Sequence, residues 1–178
     1  MKRTLSLAAI FLSCPLFLAA QTPSANPVSD ALRAGLTRAN KNMVAAAEAM
    51  PADKFEFKPT AEQITFAHLT VHIANSNNFM CSKISGTPAP EGAKLADTDG
   101  KDKLVAAIRA SFEYCSTALA KVTDTGMSDK VELFGGRSFT KAAAMMILSD
   151  DWADHYSGQA MYLRLNGVLP PTAQHKAD

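Results

Sequence analysis

Two histidines and one aspartate have the residue types and the spacing of a metal site. His72 lies on one predicted helix, and Asp151 and His155 lie four residues apart on another. Side chains at positions i and i+4 of a helix point the same way, with Cβ atoms about 5–6 Å apart. The neighbouring turns of both helices are apolar, so we expect all three side chains to point toward a core. Together they would form an N,N,O set that can bind a divalent metal such as Zn²⁺, Ni²⁺ or Fe²⁺.

A purely structural role fits the same residues. A single histidine on an apolar face is often a hydrogen-bonded core residue, and an Asp151–His155 pair can be an intrahelical contact at a solvated end. A charged carboxylate on an apolar stripe is costly unless it is paired or metal-bound. The adjacent Asp150 and Asp154 fall on the opposite side of the helix, which indicates surface charge. The pattern alone leaves both roles open.

Four segments with helical periodicity predict an all-α fold, a four-helix bundle. Apolar residues recur in them at spacings of three and four, whereas strand-like alternation is scarce. Ser29 or Asp30 can cap the first helix, and Ser138 can cap the last. The predicted helices span about residues 29–50, 65–85, 101–121 and 138–166.

The first twenty residues predict a secretory signal peptide. A basic start at residues 2–3 precedes an apolar run over residues 5–18 and the small pair Ala19-Ala20. This pattern predicts cleavage after Ala20 and export to the periplasm or the medium. The apolar run is too short to be a stable membrane anchor. A lipoprotein signal at Cys14 is the alternative, although the residues before it match that motif poorly.

The remaining chain of this 178-residue protein has the size of one domain. We expect a flexible segment over residues 21–28, the helical bundle over residues 29–171 and a polar tail over residues 172–178.

Charge and motifs exclude several classes of function. Loss of the leader removes two of 18 basic residues and none of 17 acidic ones, which changes the net charge from +1 to −1. A near-neutral chain without a basic stripe is not suited to nucleic acid, so we predict no such partner. The motifs of c-type haem, di-iron carboxylate bundles, zinc proteases and phosphate-binding loops are missing from the sequence.

Two cysteines remain after the leader, Cys81 and Cys115, on different predicted helices. An exported chain meets an oxidising compartment, which favours a disulfide between them. Two buried free thiols are the alternative, because cysteine is among the most buried residue types.

Two stretches resemble the DinB/YfiT-like family, which is distinct from the DNA polymerase that shares its name. Residues 138–171 resemble the family's last helix and exit, with His155-Tyr156 followed by a Tyr-Leu-Arg-Leu-Asn-Gly stretch and a Pro-Pro pair. Residues 55–60 and 64–74 resemble the entry into its second helix. The resemblance implies a four-helix bundle that holds a metal with three histidines, one from the second helix and two, four apart, from the last.

Matching motifs carry two of these ligands onto His72 and His155. The middle ligand falls on Asp151, where this chain departs from the three-histidine pattern. A carboxylate can still ligate Zn²⁺, Ni²⁺ or Fe²⁺, and it makes the site harder. His68, one turn before His72, is the candidate substitute ligand.

The resemblance implies a metal-dependent enzyme that acts on a small molecule. Some relatives look like transferases that move a small-molecule thiol or isomerases that use one, and metal-assisted hydrolysis is also open. Asn75, Tyr156 or Arg164 would orient the substrate. The alternative is a non-catalytic periplasmic binding or stress-related bundle with a degraded metal site. Either protein could be a homodimer.

Overall fold

The structure is a computed structural model, and it describes residues 24–91 and 94–174. The predicted signal peptide lies outside the described residues, as do the last four residues of the predicted tail. None of the helices within the described ranges is both long enough and apolar enough to cross a membrane.

Four long α-helices dominate the described residues, which confirms the predicted all-α bundle. Their bounds are Pro27–Ala49 (α1), Phe66–Ser85 (α2), Lys101–Leu119 (α3) and Lys141–Leu165 (α4). Helix α2 packs against both α3 and α4, and α1 packs against the same two helices from the other side. This arrangement places α2 next to α4, and these are the helices that carry the predicted metal ligands.

The predicted inward faces of the helices form the core. Apolar residues spaced by three and four along α1 and α3 are buried, as the periodicity indicates. Phe55, from the connection after α1, closes one end of the core, with its ring edge-on to Phe66 at 5.2 Å between centroids. Thr65 caps the start of α2, and its side chain accepts the His68 backbone N–H at 2.9 Å. Gly86 caps the end of α2, with a φ of 73° that suits glycine.

A short hairpin precedes α4, and it corrects the prediction for this region. Strands β1 (Lys130–Glu132) and β2 (Ser138–Thr140) pair antiparallel. Ser138 therefore belongs to a strand, and its prediction as the helix cap is wrong. Thr140 caps α4 instead, because its Oγ1 accepts the Ala143 N–H at 3.2 Å. Three-residue strands are too short for alternation to be visible in the sequence.

The start of α1 is also capped differently from the prediction. The helix begins at Pro27, so neither Ser29 nor Asp30 occupies the cap position. The N–H groups of Val28 and Ser29, which have no partner within the first turn of the helix, donate to the carboxylate of Asp124 at 3.0 and 2.9 Å. Asp124 follows α3 in the chain, so this cap is a tertiary contact that local sequence patterns do not reveal.

A disulfide joins α2 to α3. Cys81 and Cys115 have Cα atoms 5.3 Å apart, a separation at which a disulfide forms without movement of the backbone. Both side chains are buried.

The chain after α4 folds back onto that helix. A 3₁₀ turn spans Pro171–Ala173. Tyr156 donates a hydrogen bond to Thr172 Oγ1 at 2.9 Å and accepts the Thr172 N–H at 3.0 Å. The first residue of the predicted polar tail is therefore part of the packed structure.

Candidate metal centre

The predicted metal ligands meet where α2 faces α4. One ligand atom each from His72, Asp151 and His155 lies within 4.8 Å of the other two. Three atoms with this spacing fit within about 2.8 Å of a common point, close to the 2.0–2.2 Å length of bonds from nitrogen or oxygen to zinc. The rings of His72 and His155 lie 4.8 Å apart between centroids.

The site lies at the edge of the bundle and opens to solvent. The side chains of Asp151 and His155 are 23% and 14% exposed, so the α4 half is partly buried. His72 is exposed, and the expectation that it points into the core is wrong. Its neighbours Val71 and Ile73 take the buried positions, which leaves His72 at the rim of the groove between α2 and α4.

A backbone hydrogen bond selects the free nitrogen of His155. Its Nδ1–H donates to the carbonyl oxygen of Asp151 at 2.7 Å. Nδ1 therefore carries a proton, and the lone pair of Nε2 is left for a ligand bond. Metal-binding histidines commonly have their second nitrogen held in this way. The Asp151 carboxylate lies 3.3 Å from the same Nδ1.

The pKa values of the two histidines are shifted in opposite directions. The hydrogen bond with the Asp151 side chain raises the pKa of His155, although burial opposes this. Burial lowers the pKa of His72, and the nearby His155 lowers it further, whereas Asp151 acts in the opposite direction. His72 is thus held toward its neutral form, which is the form that binds metal.

The donor set fits a divalent cation after a small contraction. Ligands on a tetrahedral ion with bonds of about 2.1 Å lie roughly 3.4 Å apart. The distances among the three ligand atoms, up to 4.8 Å, can shorten by rotation of the His72 side chain, which its exposed position permits. Two imidazoles and one carboxylate suit Zn²⁺ and Fe²⁺.

His68, the predicted substitute ligand, is held elsewhere. Its Nδ1 lies 2.7 Å from Oδ2 of Asp97, in the loop between α2 and α3. It is not a member of the converging group in the described part of the chain.

The three predicted substrate-orienting residues have separate surroundings. Asn75 lies one turn after His72 and lines a cavity between α2 and α3. Tyr156 is hydrogen-bonded to Thr172, as described above. Arg164 is exposed and donates to the carbonyl of Ala160 in its own helix, at 3.4 Å. The structure does not gather these side chains around the candidate ligands, because they leave α2 and α4 in different directions.

A buried polar network beneath the site was not predicted. Asn77 is fully buried and accepts the Trp152 indole N–H at 2.8 Å. Its amide donates to Ser111 on α3 at 3.0 Å. The position of Trp152 directly after Asp151, on a face that is otherwise apolar, was the one local signal that could have pointed to a buried partner.

The sequence profile of the DinB superfamily matches residues 36–157, a range that holds all three candidate ligands. The chain belongs to the DinB superfamily. The predicted resemblance is thereby confirmed. No curated protein matches the chain.

Solved structures share the DinB fold. A DinB-like protein from Bacillus subtilis has 18% sequence identity and a TM-score of 0.66, over 82% of this chain and 99% of that one. A DinB-like protein from Bacillus cereus ATCC 10987 has 14% identity and a TM-score of 0.66, over 80% and 95% of the two chains. A mycothiol-dependent maleylpyruvate isomerase matches at 15% identity with a TM-score of 0.57, over 72% of this chain and 59% of that one. Similarities at this level of identity show the fold alone.

Proposed function

We propose that this DinB superfamily protein is an exported metal-dependent enzyme that acts on a small molecule. The observation that carries the proposal is the convergence of His72, Asp151 and His155 on one point at the edge of the bundle. Three protein ligands leave a coordination position free, as catalytic metal sites require, whereas structural zinc sites are closed by four. The exposure of His72 leaves room for a substrate to approach from solvent.

The side chains of the site have distinct tasks in this proposal. Nε2 of His155 and one nitrogen of His72 hold the cation, and the Asp151 carboxylate offsets part of its charge. The Nδ1–H bond to the Asp151 carbonyl keeps the His155 ring in a fixed orientation. A bound Zn²⁺, Ni²⁺ or Fe²⁺ would supply Lewis acidity, which lowers the pKa of a thiol or water that reaches it.

Transfer or isomerisation with a small thiol, and hydrolysis, are the two reaction types that suit this site. Similarity to a mycothiol-dependent isomerase supports the thiol reaction. Export favours hydrolysis, because low-molecular-weight thiols are chiefly a cytosolic pool. We therefore place hydrolysis of a small substrate first for an exported protein.

Export itself rests on the leader pattern of residues 1–20. Expression of the full chain in a bacterial host tests it. We expect secreted or periplasmic protein whose first residue is Gln21. Cytoplasmic protein that keeps residues 1–20 would contradict export.

A homodimer is part of the proposal, and light scattering of the purified protein tests it.

The contact between Asp151 and His155 favours the second candidate function, a non-catalytic binding bundle. Their side chains pair directly at 3.3 Å, so this half of the site is satisfied without a metal. In that case the groove would keep its shape while the protein binds no cation.

Metal binding by the purified protein separates the two candidates. We expect one equivalent of Zn²⁺, Ni²⁺ or Fe²⁺ by elemental analysis and calorimetry, and loss of binding in His72→Ala and His155→Ala. His68→Ala is the matched control, because His68 lies one turn away on the same helix but pairs with Asp97. Absence of binding by the unmodified protein, or equal loss in the control, would overturn the metal centre. Turnover of small esters or amides that stops on chelation would then distinguish an enzyme from a metal-binding protein.

A further inference from the structure

A second concave site lies on the other side of α2 from the groove with α4. It is a cavity of 610 Å³ between α2, α3 and the loop that joins them. This volume lies within the range of about 300–1,000 Å³ that is usual for small-molecule pockets. None of the three candidate metal ligands lines it. The cavity is therefore a feature separate from the metal centre.

Small residues leave this cavity open. The α3 side is formed largely by Ala106, Ala107 and Ala110, and the loop contributes Pro90 and Leu95. Alanine side chains at these positions keep the two helices from filling the space between them. The surface that results is apolar and can cover the body of an organic ligand.

Positive charge lies at the rim. Lys94 and Lys103 both line the cavity. Lys103 is paired with Asp99 at 2.8 Å. Lys94 is exposed, and no ion pair of it occurs in the described part of the structure. The ammonium group of Lys94 is thus available to an anionic group of a ligand.

We propose that the cavity between α2 and α3 binds a small organic anion that has an apolar body. The alanines cover the apolar body, and Lys94 attracts the anion. The site goes beyond the metal-dependent activity proposed above and does not require a metal.

Toluidinonaphthalenesulfonate is a suitable probe, because it combines an aromatic body with a sulfonate. Its fluorescence rises when it leaves water for an apolar site. We expect saturable binding of one probe per chain in protein that has been stripped of metal by chelation. Retention of this binding in His72→Ala would separate the cavity from the metal centre, whichever way the metal experiment ends.

Variants of the lining test where the probe sits. Ala110→Phe should fill the cavity and weaken binding at least tenfold. Ala34→Phe is the matched control, since Ala34 is an exposed alanine of α1 and should leave the affinity unchanged. Lys94→Ala should reduce the salt dependence of binding.

Two results would overturn the proposal. One is weak, non-saturable fluorescence that Ala110→Phe does not change. The other is an equal effect of Ala110→Phe and Ala34→Phe, which would show that the probe binds to apolar surface in general.

Discussion

The indole N–H of Trp152 donates a hydrogen bond of 2.8 Å to Oδ1 of Asn77 in the core of the bundle. Trp152 lies between Asp151 and His155 on α4, and Asn77 lies five residues after His72 on α2. The bond therefore fixes the alignment of the two helices at the level of the candidate metal centre. Buried polar pairs of this kind select one arrangement of packed helices over others.

Replacement of Asn77 should affect both stability and metal binding. Asn77→Leu leaves the buried Trp152 N–H without a partner, which should lower the free energy of unfolding by about 1–3 kcal/mol. Denaturant titration measures this change. Metal affinity should fall as well, because α2 and α4 lose their fixed alignment. The control Asn40→Leu, at a partly exposed position of α1, should change neither quantity. Unchanged metal affinity in a folded Asn77→Leu would show that the network does not position the ligands.

Variants of Asp151 test whether its carboxylate coordinates the metal or whether the site has lost this ligand. Asp151→His restores the three-histidine pattern and should keep binding of Zn²⁺ or Ni²⁺. Asp151→Leu removes the donor and should abolish binding, with at least a hundredfold increase in Kd. Calorimetry on both variants measures the difference. Equal affinity of Asp151→Leu and the unmodified protein would show that the carboxylate does not coordinate the metal.

The disulfide should contribute to stability. It closes a loop with a sequence separation of 34 residues, for which loop entropy predicts about 3–4 kcal/mol. The free energy of unfolding of a Cys81→Ala/Cys115→Ala double variant should therefore be lower by this amount, as measured by denaturant titration. Reductant should destabilise the unmodified protein and have no effect on the double variant. Two free thiols in protein denatured without reductant would contradict the bridge.

The cap on α1 predicts a dependence of stability on acid pH. Burial raises the pKa of Asp124, but hydrogen bonds from the Ser29 hydroxyl and from the N–H groups of Val28 and Ser29 outweigh it, and the pKa falls below the ordinary 3.8. A carboxyl group with a lowered pKa stabilises the fold above the pKa of the unfolded chain. This stabilisation is lost as the pH falls through the folded value.

Asp124→Ala should accordingly lower Tm by about 2–4 °C at pH 7. The difference from the unmodified protein should shrink as the pH falls below about 4. Asp150→Ala is the control, since Asp150 is exposed on α4 and should change Tm little at either pH. A difference between Asp124→Ala and the unmodified protein that stays constant from pH 7 to pH 3 would argue against the cap.

Substitution of two nearby hydroxyl residues can distinguish the cap of α4 seen in the structure from the cap predicted from the sequence. Thr140→Ala removes the acceptor of the Ala143 N–H and should cost about 1 kcal/mol. Ser138→Ala changes an exposed strand residue and should be close to neutral. Thermal unfolding of the two variants measures the contrast. A larger effect of Ser138→Ala would favour the start of the helix predicted from the sequence.

The sequence by itself determined the helices and the candidate ligands. Apolar residues at spacings of three and four report which side of a helix is buried, and the buried faces of α1 and α3 follow that pattern. Asp151 and His155 share a face because they are four residues apart, which is a local property of any helix. His72, on the other predicted helix, completed the set by residue type, and the family pattern supported it and His155.

Tertiary structure alone decided which of these side chains reach solvent and which partners they take. His72 is exposed because Val71 and Ile73 occupy the packed positions between the helices. His68 pairs with Asp97 across 29 residues of sequence, and Asp124 caps α1 from the far end of α3. These contacts depend on the packing order of the four helices. Helical periodicity fixes the buried face of each helix but not its neighbours. The sequence could therefore place the candidate ligands on their helices, but it could not show where the site opens.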